Sequence, residues 1–410
     1  MKILWHSNAT WVNTGYGNQT KLYTRALADA GHEVTVSAYH GLAGGRLTDP
    51  AGILHLPRGV EQHGNDIIEG HIVATQADIV WSLIDLFALD LKTWSKFAWA
   101  GFGVIDSEPV RPQEILHFQA MRWPIAMSKF GAEQIKGVGR ESLYIPHMID
   151  TNIFKPISRE FSRRTLEMIT GRTIPDDAFV VTTVAANGTG WPSRKNFAGM
   201  LEAFSIFATT HPDALFYIHT EPKGIWKGDP LLDMAEQYGI ADRVLFPKTY
   251  HILVGAFSDE TMNELYNASD VFMNLSRGEG FGIPSVEAQA AGLPVILTNF
   301  SASRELCMTG WTVNGPLAQY TPMTKQMLPD PLEAAQRLND AYGLWRSDTI
   351  KAGARRQALA YDLQAVTKNY LLPAVERIES ELKRESQIAW LKRNDARLKE
   401  IMYLMQQHKM

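Results

Sequence analysis

Two glutamates eight positions apart, Glu279 and Glu287, flank a run of glycines in SRGEGFGIPSVEAQAAGLP, residues 276–294. The apolar stretch VFMNL before it reads as a buried strand, and Pro284 suits the first position of a helix that stops at Gly292. A glycine-rich turn that leaves a strand and opens a helix presents unpaired backbone N–H groups and a positive helix end to an anion. Glycines 278, 280 and 282 let a ligand approach the backbone closely. Both carboxylates can then face one ligand, Glu279 near its reacting end and Glu287 near a diol, because carboxylates accept well from sugar hydroxyls. Such turns also occur without a ligand, and acids in a first turn complement the helix dipole, so the loop alone leaves both readings open.

Three other places carry residues of the right kind. Arg194 and Lys195 fall between a predicted strand and a predicted helix, where two cations can neutralise a departing anion; a surface pair of this type otherwise stays solvated. NTGYGNQ, with Gly15 and Gly17, lies between the first strand and the first helix. Asp106, in VIDSEPVRP with Glu108 close by, ends a strand and either holds a hydroxyl or makes a turn.

Short apolar runs alternating with helix-like segments position these residues. In the first half, strands are predicted at 2–5, 32–38, 79–84, 103–105, 125–127 and 143–145, with a helix at 19–30. In the second half, strands are predicted at 179–185, 214–219, 244–246, 271–275 and 294–298, with helices at 196–209 and 261–268. The β–loop–α–β order is that of a parallel, doubly wound sheet, present twice. PHMIDTNIFKPISRE interrupts the rhythm and reads as the connection. The expected organisation is a Rossmann-like domain over 1–155, a second over 156–362, and C-terminal helices over 363–410 packing back on the first domain. A cleft is expected between the two domains. The last residues of the chain leave open a role as an interaction or self-association helix.

These strings resemble the retaining GT-B glycosyltransferases, in particular family 4, whose signature is E-x7-E. EGFGIPSVEAQAAGLPVI is similar to that signature, LYNASDVFMNLS to its usual lead-in, PHMIDTNIFKP to the interdomain segment, and SRKNFAGMLEAF to the start of the first helix of the second domain. The similarities run in the expected order from residue 1 to about 365. The resemblance implies that Glu279 contacts the transferred sugar and Glu287 the ribose. Gly280, Phe281 and Gly282 would supply backbone contacts to sugar and phosphate, Arg194 and Lys195 would hold the diphosphate, and the Gly15–Gly17 turn would close over it. The pattern departs in two places. Asn187-Gly-Thr-Gly stands where the family has a Gly-Arg pair, and Asp106 stands where many members have a histidine.

Bulk properties narrow the partners. At 410 residues with 45% hydrophobic and 20% charged residues, the chain is long enough for two cores. The formal net charge of −4 advertises no polyanionic partner, although Arg111, Arg122, Lys129 and Lys136 could line a local groove. A single cysteine, Cys307, excludes a disulfide framework. No Asp-x-Asp tripeptide occurs and the histidines lack ligand spacing, so neither metal nor cofactor is expected. MKILWHSNATW is too short for a signal-peptide core and no run reaches a spanning length, which favours a cytoplasmic protein without a transmembrane segment. The expected function is retaining transfer of a hexose from a nucleotide sugar, UDP-glucose by default, to an acceptor hydroxyl on a glycan, glycolipid or other molecule. Three alternatives share the architecture: transfer to modified DNA bases, sugar-nucleotide epimerisation, and a non-catalytic nucleotide-sugar-binding scaffold.

Overall fold

The computed structural model describes residues 1–188 and 193–384. Its contacts divide the chain into two compact units. The first comprises Met1–Ile105, Pro109–Met148 and the stretch from Leu363 on; the second comprises Asp106–Glu108 and Ile149–Asp362. Among the described residues no helix is long and apolar enough to cross a membrane.

In the first unit the strands are β1 (Lys2–Asn8), β2 (Glu33–His40), β3 (Leu47–Thr48), β4 (Leu54–Pro57), β5 (Ile79–Ser82), β6 (Trp99–Gly103), β7 (Trp123–Ala126) and β8 (Leu143–Tyr144). They form one sheet in the order β3-β4-β2-β1-β5-β6-β7-β8, parallel except for the β3–β4 pair. Because both faces are covered, β1 and β5 are buried almost throughout, the pattern a parallel sheet demands. The core is aromatic: Trp5 stacks on Trp81 at 5.8 Å and on Tyr23 at 5.4 Å between ring centroids. The strand expected at 103–105 lies instead at Trp99–Gly103. Its two glycines, Gly101 and Gly103, make room for Met121 and Phe118, which come within 2.6–2.7 Å of where a Cβ would sit.

The C-terminal segment, as far as it is described, belongs to this unit. The helix Leu372–Arg384 brings Glu381 to the indole of Trp123, which donates to it at 2.7 Å, and Glu379 to within 3.7 Å of the N-terminal ammonium. A π-helical turn, Thr367–Leu371, precedes it. The proposed interaction tail lies beyond Arg384, outside the described residues.

The second unit repeats the topology. Strands β9 (Phe179–Val184), β10 (Ala214–His219), β11 (Val244–Leu245), β12 (Val271–Asn274), β13 (Val295–Thr298) and β14 (Gly310–Val313) form an all-parallel sheet in the order β11-β10-β9-β12-β13-β14. A separate antiparallel hairpin, β15 (Leu317–Thr321) and β16 (Thr324–Met327), follows. Alternate residues of β9 feed two cores. Phe179 and Val181 pack with Phe197, Phe204 and Leu338, whereas Val180 packs with Leu166 and Leu265 on the other face. In both sheets the strand order reverses beside the first strand, between β1 and β5 and between β9 and β12. That is where ligands bind in open α/β sheets, outside the carboxyl ends of the strands.

At the opposite end of β9 and β12 sits a buried ion cluster. The side chain of Asp270, fully buried, accepts from Arg159 at 2.9 Å, from Arg163 at 3.0 Å and from the Val180 amide at 2.8 Å. It fastens the helix Arg159–Thr170 to the starts of both central strands. Removing the acid would leave Arg163, 6% exposed, as an uncompensated buried cation. Asp270→Ala is therefore expected to cost about 3–5 kcal/mol. Urea denaturation of wild type and variant measures it, and a loss under about 1 kcal/mol would refute the clamp.

Candidate functional site

The loops leaving β9 and β12 meet at the topological reversal of the second unit. Each fixes the other through the backbone: the Arg277 amide donates to the Arg194 carbonyl at 2.8 Å, and the Asn196 side chain donates to the Leu275 carbonyl at 3.1 Å. Asn196 takes a left-handed conformation (φ 53°) to turn the chain into the helix Phe197–Ala208. Residues 189–192 of the first loop, including part of the departure noted at 187–190, lie outside the described residues.

That joint brings four of the predicted side chains together. Arg194 donates through Nη1 to the Gly278 carbonyl at 2.6 Å and to Glu279 Oε2 at 2.8 Å, with its Nε 3.4 Å from Asp106 Oδ2. Lys195 Nζ reaches Glu279 Oε1 at 2.5 Å. Burial alone would raise the Glu279 pKa, but the two cations outweigh it and hold the carboxyl well below the usual carboxylate range. Burial and the adjacent Arg194 lower the Lys195 pKa. Arg194, despite burial, is held more firmly protonated by Glu279 and Asp106. In this structure the two cations expected to face a diphosphate are thus paired with carboxylates.

Asp106 was expected in the N-terminal domain and instead belongs to the second unit with Ser107 and Glu108. The reason is backbone pairing: Glu108 and Lys325 exchange amide–carbonyl bonds at 3.1 and 2.7 Å, and Gln326 donates to the Asp106 carbonyl at 3.2 Å. That carbonyl lies 1.9 Å from where a Cβ on Gly278 would stand, so only glycine fits there.

Beyond Glu279 the chain enters the helix Ile283–Ala290, with Gly282 (φ 108°) as its first cap and Pro284 in its first turn, one position later than expected. The amides of Gly280, which is buried, and Gly282, which is half-buried, carry no hydrogen bond among the described residues. Phe281 meets Tyr361 edge-on at 5.7 Å. Buried amide donors beside a helix start form an anion cradle. Glu287, on the same helix, accepts from the Tyr266 hydroxyl at 2.7 Å.

Gly15 and Gly17 lie in the other unit, at the start of the helix Gly15–Asp29. The Gly17 amide donates to the capping Thr14 hydroxyl at 3.1 Å, and the Val12 carbonyl is 2.0 Å from where its Cβ would be. Local packing therefore already requires that glycine.

A family model described as "Glycosyl transferases group 1" matches residues 191–312. That stretch is a glycosyltransferase group 1 domain. The group 1 domain contains Arg194, Lys195, Glu279 to Gly282 and Glu287, and excludes Gly15, Gly17 and Asp106. The chain is 29% identical over 256 residues to a D-inositol 3-phosphate glycosyltransferase of Geodermatophilus obscurus, covering 61% of this chain and 50% of that protein. It is 27% identical over 168 residues to the mannosylfructose-phosphate synthase of Agrobacterium fabrum, covering 40% of this chain and 34% of that one. The chain thus spans half or less of the length of these curated relatives. Among solved structures, a sucrose-phosphate synthase from Thermosynechococcus elongatus matches with a TM-score of 0.71 at 14% identity, over 94% of this chain and 100% of that one. The shared feature there is the fold, two Rossmann-like α/β units of the GT-B kind.

Two partners in the group 1 domain were not singled out from sequence. Tyr266 lies inside the lead-in string LYNASDVFMNLS, and Ser301 lies outside every motif of the sequence. Ser301 (φ 49°) accepts from the Glu279 amide at 2.9 Å and so fixes the loop backbone. Burial pushes the Glu287 carboxyl up to about 7, against the opposing hydrogen bond from Tyr266. Between the ordinary carboxylate range and about 7 the folded protein therefore binds a proton the unfolded chain does not, and stability falls as pH rises through that window. Glu287→Gln is expected to flatten this dependence, the two proteins diverging by roughly 3 kcal/mol at most. Denaturation midpoints of both across about pH 5 to 8 measure it; parallel profiles would refute the buried-proton account.

Proposed function

We propose that the chain transfers a hexosyl group from a nucleoside diphosphate sugar to an acceptor hydroxyl, with retention at the anomeric carbon and without a metal. The observation that carries this reading is the Arg194–Glu279–Lys195 cluster beside the unpartnered amides of Gly280 and Gly282, at the carboxyl ends of β9 and β12. The match to the group 1 family over that same stretch supports it, as do relatives whose names describe glycosyl transfer and sugar-phosphate synthesis.

The chemistry needs charge stabilisation more than a strong nucleophile. The bond from the anomeric carbon to the diphosphate oxygen breaks, and the acceptor oxygen bonds to that carbon on the same face. The proton of the acceptor hydroxyl passes to the departing phosphate oxygen. Arg194 and Lys195 exchange Glu279 for the diphosphate, and the Gly280 and Gly282 amides meet its oxygens or those of the sugar. Glu279, released from both cations, accepts from the hydroxyls of the transferred sugar. Glu287 accepts from the ribose, and Asp106 from a hydroxyl of sugar or acceptor. Cation release from Glu279 at the moment the anion arrives ties donor binding to assembly of the sugar pocket.

Screening nucleotide sugars for thermal stabilisation tests this reading. One donor is expected to raise the melting temperature of wild type, with the shift lost in Lys195→Ala and reduced in Glu287→Ala. With that donor and a competent acceptor, Lys195→Ala should lower kcat/KM by about 10²–10³. Equal shifts in all three proteins, or no shift with any donor, would sink the assignment.

A further inference from the structure

The second unit holds a cavity of about 740 Å³ that none of the proposed donor-site residues lines. It is bounded by the first turns of the helix Phe197–Ala208, the residues after β14 and those that follow β16. Its size falls within the ~300–1,000 Å³ typical of small-molecule sites.

Two charged side chains in its wall are more than nine-tenths buried and each has an atom without a hydrogen-bond partner. Asp229, 5% exposed, has Oδ2 unpartnered, and Arg277, 6% exposed, has Nε unpartnered. Ser193 hydrogen-bonds the Asp229 carboxyl, and Arg277 is held by the Gln319 carbonyl at 3.2 Å and the Tyr320 ring at 5.5 Å. A buried polar atom left unsatisfied is costly, and a native structure that keeps two of them in one cavity wall calls for a ligand.

The acid is also held rigidly. The Asn187 side chain clamps the Asp229 backbone from both sides, accepting from its amide at 2.7 Å and donating to its carbonyl at 2.8 Å. Buried Glu221 ties down the same loop by accepting from the Lys223 and Ile225 amides at 2.7 and 3.0 Å. Gly228 passes so close to Asn187 Oδ1 that a Cβ would lie 2.2 Å from it. The oxygen is aimed by a built frame.

We infer that this cavity binds a carbohydrate ring at a site separate from the nucleotide-sugar site. The unpartnered oxygen of Asp229 needs a donor and the Nε–H of Arg277 needs an acceptor, and a hydroxyl supplies either. Asp229, Asp330, Glu333 and the exposed Glu202 repel an anion, whereas a cation offers no acceptor to the Nε–H of Arg277. Pro316, Pro329 and Leu328 supply apolar surface against which the face of a pyranose can lie. A neutral ring bearing hydroxyls meets all of these demands, and the assignment stands whether or not the donor reading holds.

Saturation-transfer difference NMR on the full chain tests it, with the methyl α-pyranosides of glucose, galactose and mannose as probes, with and without UDP and GDP. At least one probe is expected to bind saturably and equally in the presence of either nucleotide. Asp229→Asn should weaken that binding by about tenfold or more. Leu328→Trp, which fills the cavity from its rim and leaves both charged residues in place, should abolish it. Circular dichroism establishes that each variant is folded; if Asp229→Asn is not, Leu328→Trp decides alone. No saturable binding by any probe, displacement by a nucleotide, or unchanged affinity in the folded variants would overturn the proposal.

Discussion

The paired contact of Arg194 and Lys195 with Glu279 is the constraint on which the rest of the second unit's active end depends. Three charges are withdrawn from water within one joint between two loops, and Asp106 makes a fourth. Such a cluster is tolerable only with near-balanced charge and good hydrogen bonds. Both conditions are met, since the cations and acids are equal in number and the Gly278 carbonyl takes a further Arg194 proton. The balance also makes the cluster responsive. In the proposed mechanism an incoming dianion would change the partner of each cation without leaving either one bare.

The sheet explains why the joint forms there. β9 and β12 are neighbours in space although residues 185–270 separate them in sequence, and the strand order reverses between them. Loops leaving neighbouring strands on either side of such a reversal meet at their base and part beyond it, which opens a crevice above the joint. The buried Asp270 clamp pins the other end of the same two strands, so the loops rest on a base that does not shift.

Much of this was legible in the sequence because it followed from periodicity and local punctuation. Long apolar strands such as 179–184 and the Gly–Pro entry to the helix at 283 are visible one window at a time. What escaped notice was non-local or disguised. Leu54–Pro57 ends in proline, Gly310–Val313 opens with glycine, and the hairpin 317–327 is too exposed to show a buried stripe. Asp106 was singled out by its place at a strand end, but its unit could not be read. A backbone pairing with Lys325, more than two hundred residues away, decides that. The role of Tyr266 depends likewise on a helix packing across to Glu287, which no spacing within its own segment reveals.

The membership of Asp106–Glu108 in the second unit bears on how the protein is made. During synthesis these three residues emerge early, while Gly278 and Lys325, which hold them, are still untranslated. At ordinary elongation rates of ~5–20 residues per second, about 10–40 s separate the two ends of that contact. The first unit waits longer still, because the segment from Leu363 belongs to it. Neither unit is therefore complete as a contiguous stretch of nascent chain. A ribosome that stalls between the two halves would present all eight strands of the first sheet without the helix Leu372–Arg384 that reaches Trp123, so the first unit is finished only after the second has been made.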